Sequence, residues 1–212
     1  MNTPVIILGA GGHARVLLDT LRLLSIEVLG ATIEDAENVH DKLPDIPILG
    51  QDTTVFSYSP DSVKLVIGFG TIRVNPRRAD LFDYFKSKGY SFASVIHPSV
   101  ILARDVALSE GLQIMAGAVI QAGCELGENC LINTCAVLDH DCRIGAHTHI
   151  ASGAVLSGAV VVGARSHVGA GATIIQGVRI GSNSVVGAGA VVIRDVGDNE
   201  TVIGVPAREV KR

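Results

Sequence analysis

Tryptophan is absent from this 212-residue chain, and its eight Phe and Tyr residues all precede position 93, so the last 120 residues must build a core without aromatic rings. Long apolar runs are missing too, and stretches such as Pro4–Leu8 are far too short to span a bilayer. With 48% hydrophobic and 18% charged residues, the composition excludes disorder and fits a soluble globular protein of one or two domains. The 17 Lys and Arg residues are scattered against 21 Asp and Glu, so no basic footprint for nucleic acid or an anionic membrane surface is present. The N-terminus shows neither a basic flank nor a cleavage pattern, and a cytoplasmic location is expected. There is no CxxC among the four cysteines, and disulfides would be unusual in that compartment.

What the second half does contain is a repeat. From Ile96 in steps of six, through Leu102, Leu108, Ile114 and onward to Val192, seventeen consecutive positions are Ile, Leu or Val. Two residues before each stands a small or β-branched side chain, such as Ala118, Cys124, Cys130, Ala136 or Cys142, with Leu112 as the exception. One aliphatic and one small residue per six predicts a hexapeptide parallel β-helix, with three short faces to a coil of 18 residues. Inward side chains then stack on themselves about 4.8 Å apart, in a prism too narrow for rings. Residues 96–197 would give a column roughly 27 Å tall. Cys124, Cys130 and Cys142 fall on the small inward position, as buried hydrophobes, and Cys135 on a turn.

The first 95 residues form a different unit. The apolar run of residues 4–8 leads into Gly9-Ala-Gly-Gly-His13 and then a helical pattern from Ala14 to Leu24. Gly9, Gly11 and Ala14 satisfy G-x-G-x-x-[GA], which brings backbone N–H groups and a helix N-terminus close to a phosphate. Further strands are expected near residues 27–31, 46–49 and 64–67, and a helix over 78–88, stopped by Gly89. This alternation predicts a small parallel α/β sheet. It holds only one mononucleotide-sized half-site, so a sugar nucleotide fits better than a dinucleotide. Gly9, Gly11, Gly12 and His13, with Arg73, are its candidate phosphate contacts.

Histidines crowd the repeat only between Ile132 and Ile150, as His140, His147 and His149, with His167 further on. His140 lies two residues after an inward aliphatic, at a corner, and should point outward with Asp139 or Asp141 fixing its tautomer. Gly158 is one coil, 18 residues, beyond it, so a base and a backbone oxyanion donor would be adjacent. By the same spacing His167 stacks over His149.

These residues together resemble the sugar acetyltransferases of the sialic-acid and bacillosamine pathways. The resemblance runs through Gly9-Ala-Gly-Gly-His13-Ala, Asn133-Thr134, His140-Asp141-Cys142, His149 and the tail Gly204-Val-Pro-Ala-Arg208. It implies a left-handed β-helix, a Rossmann-like nucleotide-sugar domain over residues 1–95, an acetyltransferase domain over 96–212, and a homotrimer. It further implies His140 as base assisted by Asp141, the Gly158 amide on the thioester carbonyl, and His149 at the acetyl end. Acetyl-CoA would lie between subunits, with Gly187, Ala188, Pro206 and Arg208 toward its distal end. Glu34 or Asp35 would meet the nucleobase, with Gly68 and Arg73 nearby, though the sequence departs from the family's usual residues at both places. The nucleobase stays open among UDP, GDP and dTDP.

The expected activity is therefore N-acetylation of a nucleotide-linked amino sugar for a surface polysaccharide, with acetyl-CoA as co-substrate and no metal. O-acetylation of a sialic-acid-like or other free sugar would use the same residues. A zinc site from His140, His147, His149 or His167 would need three converging imidazoles, whereas these fall on different corners. A non-catalytic nucleotide-sensing scaffold is the remaining alternative.

Overall fold

Strand β1 (Val5–Leu8) is buried along its whole length because both faces of its sheet are covered. In the computed structural model, which describes residues 3–34, 43, 45–71 and 76–210, β1 lies between β2 (Val28–Thr32) and β4 (Lys64–Ile67), with β3 (Ile48–Gly50) beyond β2. All the pairings are parallel. Side chains of β1 alternate between two layers. Val5 and Ile7 pack with Leu17 and Leu21 of helix α1 (Gly12–Leu23), while Ile6 and Leu8 pack with Phe82 and Phe85 of helix α2 (Arg77–Ser87). The aromatic residues are thus confined to the half that has a layered core to hold them. Helix α1 starts two residues before Ala14 because Gly11, extended at φ −83°, serves as its N-cap.

From Val95 onward the chain forms seventeen two-residue strands, Val95–Ile96 through Val191–Val192. They stack in register every 18 residues into three parallel sheets, as in Leu131↔His149 and Ile132↔Ile150. This is the hexapeptide β-helix expected from the repeat, with the left hand that the family resemblance implied. One continuous aliphatic cluster fills the prism, with Cys124, Cys130 and Cys142 buried inside and Cys135 exposed on a turn. An antiparallel hairpin, β22 (Thr201–Ile203) with β23 (Arg208–Glu209), closes the end.

The faces differ in what they turn outward. The first carries Val95, Gln113, Leu131, His149, His167 and Val185, and the α/β domain sits on it, with Met115 and Leu131 joining that domain's core. The second carries Ile101, Val119, Val137, Val155, Thr173 and Val191. The third carries Ala107, Glu125, Arg143, Val161 and Arg179. Among the described residues no helix is long and apolar enough to cross a membrane.

The coil spacing leaves some corners no room for a side chain. A Cβ at Gly145 would stand 2.5 Å from the Ala164 nitrogen, so Gly145→Ala is expected to cost about 1–3 kcal/mol by forcing two coils apart. Guanidinium unfolding measures it. An unchanged midpoint would contradict this packing.

Candidate active site

The turn after strand β12 (Val137–Leu138) brings together a carboxylate, an imidazole and a glycine. Asp141 adopts a left-handed backbone, φ 59°, which Asp tolerates better than bulkier residues. Its Oδ2 lies 2.8 Å from His140 Nδ1. Asp139 is used differently, its Oδ1 accepting the His140 backbone N–H at 2.8 Å. The sequence allowed either carboxylate to orient the imidazole, and the corner geometry selects Asp141. The hydrogen bond with Asp141 holds the His140 pKa above the ordinary histidine value, with smaller contributions from both aspartate charges. With Nδ1–H given to the carboxylate, Nε2 is the basic nitrogen.

Glycines lie on both sides of this pair. A Cβ at Gly158, one coil on, would fall 2.4 Å from His140 Nε2, and one at Gly123, one coil back, 2.4 Å from Asp141 Oδ1. Gly158 was expected from the 18-residue spacing; Gly123 obeys the same arithmetic and was missed. Neighbouring groups are already used, with Ala159 N–H donating to His140 O and Gly177 N–H to Gly158 O. Among the described residues the Gly158 N–H has no acceptor, so it is free on the residue that packs against the imidazole.

His149 lies elsewhere. Its strand, His149–Ile150, belongs to the first face, whereas His140 sits at the corner where the second and third faces meet, on the opposite side of the prism. His149 Nδ1 donates to Thr71 O at 2.7 Å, Asn133 Nδ2 stands 3.3 Å from its Nε2, and the His167 ring packs against it at 4.9 Å. Burial, reinforced by the neighbouring His167, lowers its pKa to about 3, so it is neutral. His149, His167, Gly187, Ala188 and Thr71 line one cleft of about 290 Å³. Pro206 and Arg208 stand apart from it, in the closing hairpin. His147 is turned into the domain junction, edge-on to Phe82. Among the described residues no group of three His, Cys, Asp or Glu side chains is arranged to hold a metal.

At the glycine turn the glycines divide into two kinds. Gly9 (φ +95°) and Gly68 are packing glycines: a Cβ at the first would touch Phe69 at 3.0 Å, and at the second the Gly9 carbonyl at 2.3 Å. Gly11 and Gly12 meet nothing within 4 Å, and no side chain caps the helix they open, leaving an uncovered N-terminus suited to an anion. His13 Nε2 is 2.8 Å from Gln113 Oε1 on the β-helix, a partner the sequence did not suggest. Beside the turn, Glu34 Oε2 pairs with Arg77 Nη2 at 2.7 Å, Arg77 stacks on Phe69, and these border a cleft of about 420 Å³ with Asp52 and Tyr84. Asp35 and Arg73 lie outside the described residues. A larger depression of about 490 Å³ along the third face, under Glu125 and Arg143, contains none of the candidate residues.

Residues 4–84 match the family described as PglD N-terminal domain, and residues 123–158 and 159–194 match bacterial transferase hexapeptide repeats. Comparison with curated proteins finds no match. Among solved structures, a variant of perosamine N-acetyltransferase from Caulobacter crescentus, in complex with CoA and GDP-perosamine, is 37% identical with a TM-score of 0.91, covering 99% of this chain and 97% of that one. The acetyltransferase domain of PglB from Neisseria gonorrhoeae, in complex with acetyl coenzyme A, is 31% identical with a TM-score of 0.90, over 99% and 100% of the two chains. WeeI from Acinetobacter baumannii, 22% identical at a TM-score of 0.88 over 99% and 100%, shares the fold.

Because the Asp141 hydrogen bond raises the His140 pKa, Asp141→Asn should lower it toward the ordinary value. Proton NMR titration of the His140 ring reads this directly. A midpoint unchanged in Asp141→Asn but lowered in Asp139→Asn would reverse the assignment of the two carboxylates.

Proposed function

The chain belongs to the hexapeptide-repeat sugar acetyltransferases, and from that premise we propose that it transfers the acetyl group of acetyl-CoA to the amine of a nucleotide-linked amino sugar. The carrying observation is the His140–Asp141 pair with Gly158, whose N–H has no acceptor among the described residues, packed against its basic nitrogen. The amine nitrogen attacks the thioester carbonyl carbon. His140 Nε2 takes the proton that the nitrogen sheds, while the Gly158 N–H holds the developing oxyanion. As the tetrahedral centre collapses, the C–S bond breaks and the proton passes from His140 to the departing CoA thiolate. The only covalent changes are one amide formed and one thioester lost. Proximity of the two bound substrates supplies much of the remaining rate.

Acetyl-CoA is assigned to the cleft at His149, Gly187 and Ala188, with Pro206 and Arg208 toward its distal end, and the nucleotide sugar to the turn at Gly11 and Gly12. Glu34 and Asp35 are assigned to the base, and Gly68 and Arg73 to the phosphate side. The likeness to a perosamine enzyme whose structure holds CoA and GDP-perosamine supports both substrates. The proposed assembly is a homotrimer, which the shape of the prism supports. His140 and His149 stand on opposite sides of one chain, so a shared site needs the corner of one copy and the first face of the next. The second face supplies an apolar surface for this contact, with Ile101 64% exposed. We place the protein in the cytoplasm, serving surface polysaccharide synthesis.

The test is acetyl transfer from acetyl-CoA to UDP-, GDP- and dTDP-linked 4-amino-4,6-dideoxyhexoses and to sialic acid. Amide product on one nucleotide sugar is expected, with turnover falling by about 10²–10⁴ in His140→Ala. Acetylation of sialic acid alone would favour the O-acetyl reading instead. Gly11→Val adds bulk where nothing now lies within 4 Å, so it should raise KM for the nucleotide sugar and spare KM for acetyl-CoA. Equal KM values for wild type and variant would remove the turn from the site.

A further inference from the structure

Gln113 lies on the first face of the β-helix, two coils below His149, and is 2% exposed. It joins the β-helix to the end of β4 and to the first turn of α1, just past the glycine turn. Its Nε2 donates to Ile67 O at 2.8 Å, at the end of β4, and its Oε1 lies 2.8 Å from His13 Nε2 in the first turn of α1. These bonds permit a single arrangement of hydrogens. A carbonyl can only accept, so the amide nitrogen must face Ile67; the amide oxygen then faces His13, and it too can only accept. The proton of His13 is therefore on Nε2. Desolvation lowers the His13 pKa to about 4, despite the hydrogen bond that His13 donates to Gln113, and the buried Arg78 opposes a second proton as well. Nδ1 is left with a lone pair and with no partner among the described residues.

We infer that Gln113 is a positioning residue that presents His13 Nδ1 to the nucleotide sugar as a hydrogen-bond acceptor, so that His13 receives a hydroxyl or amine hydrogen rather than donating to a phosphate. This reverses the expected polarity at His13 and leaves anion binding to the backbone N–H groups at Gly11 and Gly12. It rests on the assignment of the glycine turn to the nucleotide sugar. Gln113 itself touches no substrate; it acts through the His13 ring.

The experiment begins with nitrogen NMR of ¹⁵N-histidine-labelled protein, which distinguishes the two tautomers. Wild type should show His13 protonated on Nε2 alone at pH 7, and should keep an unprotonated Nδ1 when GDP-perosamine is added. A proton on Nδ1 in either state would overturn the inference. In steady-state kinetics, Gln113→Leu should raise KM for the nucleotide sugar about five- to tenfold with KM for acetyl-CoA unchanged. In a His13→Ala background it should add almost nothing. A wild-type KM in folded Gln113→Leu, or full additivity with His13→Ala, would also overturn it. Should Gln113→Leu fail to fold, the wild-type spectrum decides alone. Failure to acetylate any nucleotide sugar would sink the proposed function while leaving the tautomer readable without substrate.

Discussion

A prism one side chain wide governs this molecule. Its interior takes only stacked aliphatic and small residues, from Leu112 to Val202, and has no space for a cavity or a polar group that cannot reach a backbone carbonyl one coil away. The buried Thr148, Ser166 and Ser184 show the rule, each donating its hydroxyl hydrogen to the carbonyl of Gly163, Gly181 or Gly197. Chemistry is thereby expelled to the corners and the outward positions. His140 and Asp141 are at a corner, and His149, His167 and Gln113 are at outward positions of one face.

The same geometry explains why glycines matter beyond their backbone freedom. Coils packed at strand spacing leave a corner side chain room only where the residue above or below lacks one. Gly158 clears His140 and Gly123 clears Asp141. An imidazole–carboxylate pair and a glycine backbone thus come together without any loop or lid to assemble them.

The α/β domain is joined to the prism by polar bonds as well as by apolar packing. Residues 67–71 are held at three carbonyls, Ile67 by Gln113, Phe69 by Arg78 Nη1 at 2.7 Å and Thr71 by His149. Arg78 is fully desolvated, and burial pulls its pKa down to about 10. The segment that borders the glycine turn is therefore the one that fixes the tautomer of His149.

Much of this was legible because a solenoid turns sequence spacing into position. Six-residue steps gave the inward aliphatics from Ile114 to Val192, and eighteen-residue steps put Gly158 on His140 and His167 on His149; the step to Leu108 failed, because that residue ends the third face, has no coil below it, and is 41% exposed. What stayed hidden depends on contacts without a period. The partnership of His13 with Gln113, 100 residues apart, follows from how one domain docks on the other. The choice of Asp141 over Asp139 depends on a left-handed φ at a single residue. Strand β3 starts two residues later and ends one later than expected, because its short, half-buried segment has no strong pattern.

Whether one site is built from two copies is tested most directly by mixing impaired variants. His140→Ala and His149→Ala chains, unfolded together and refolded into mixed oligomers, should regain acetyl transfer at about one quarter of the sites, where an intact His140 corner meets an intact first face. Each variant alone should stay far below wild type. Mixed oligomers, confirmed by mass, that recover no activity would place both histidines in the site of a single chain and contradict the shared-site arrangement.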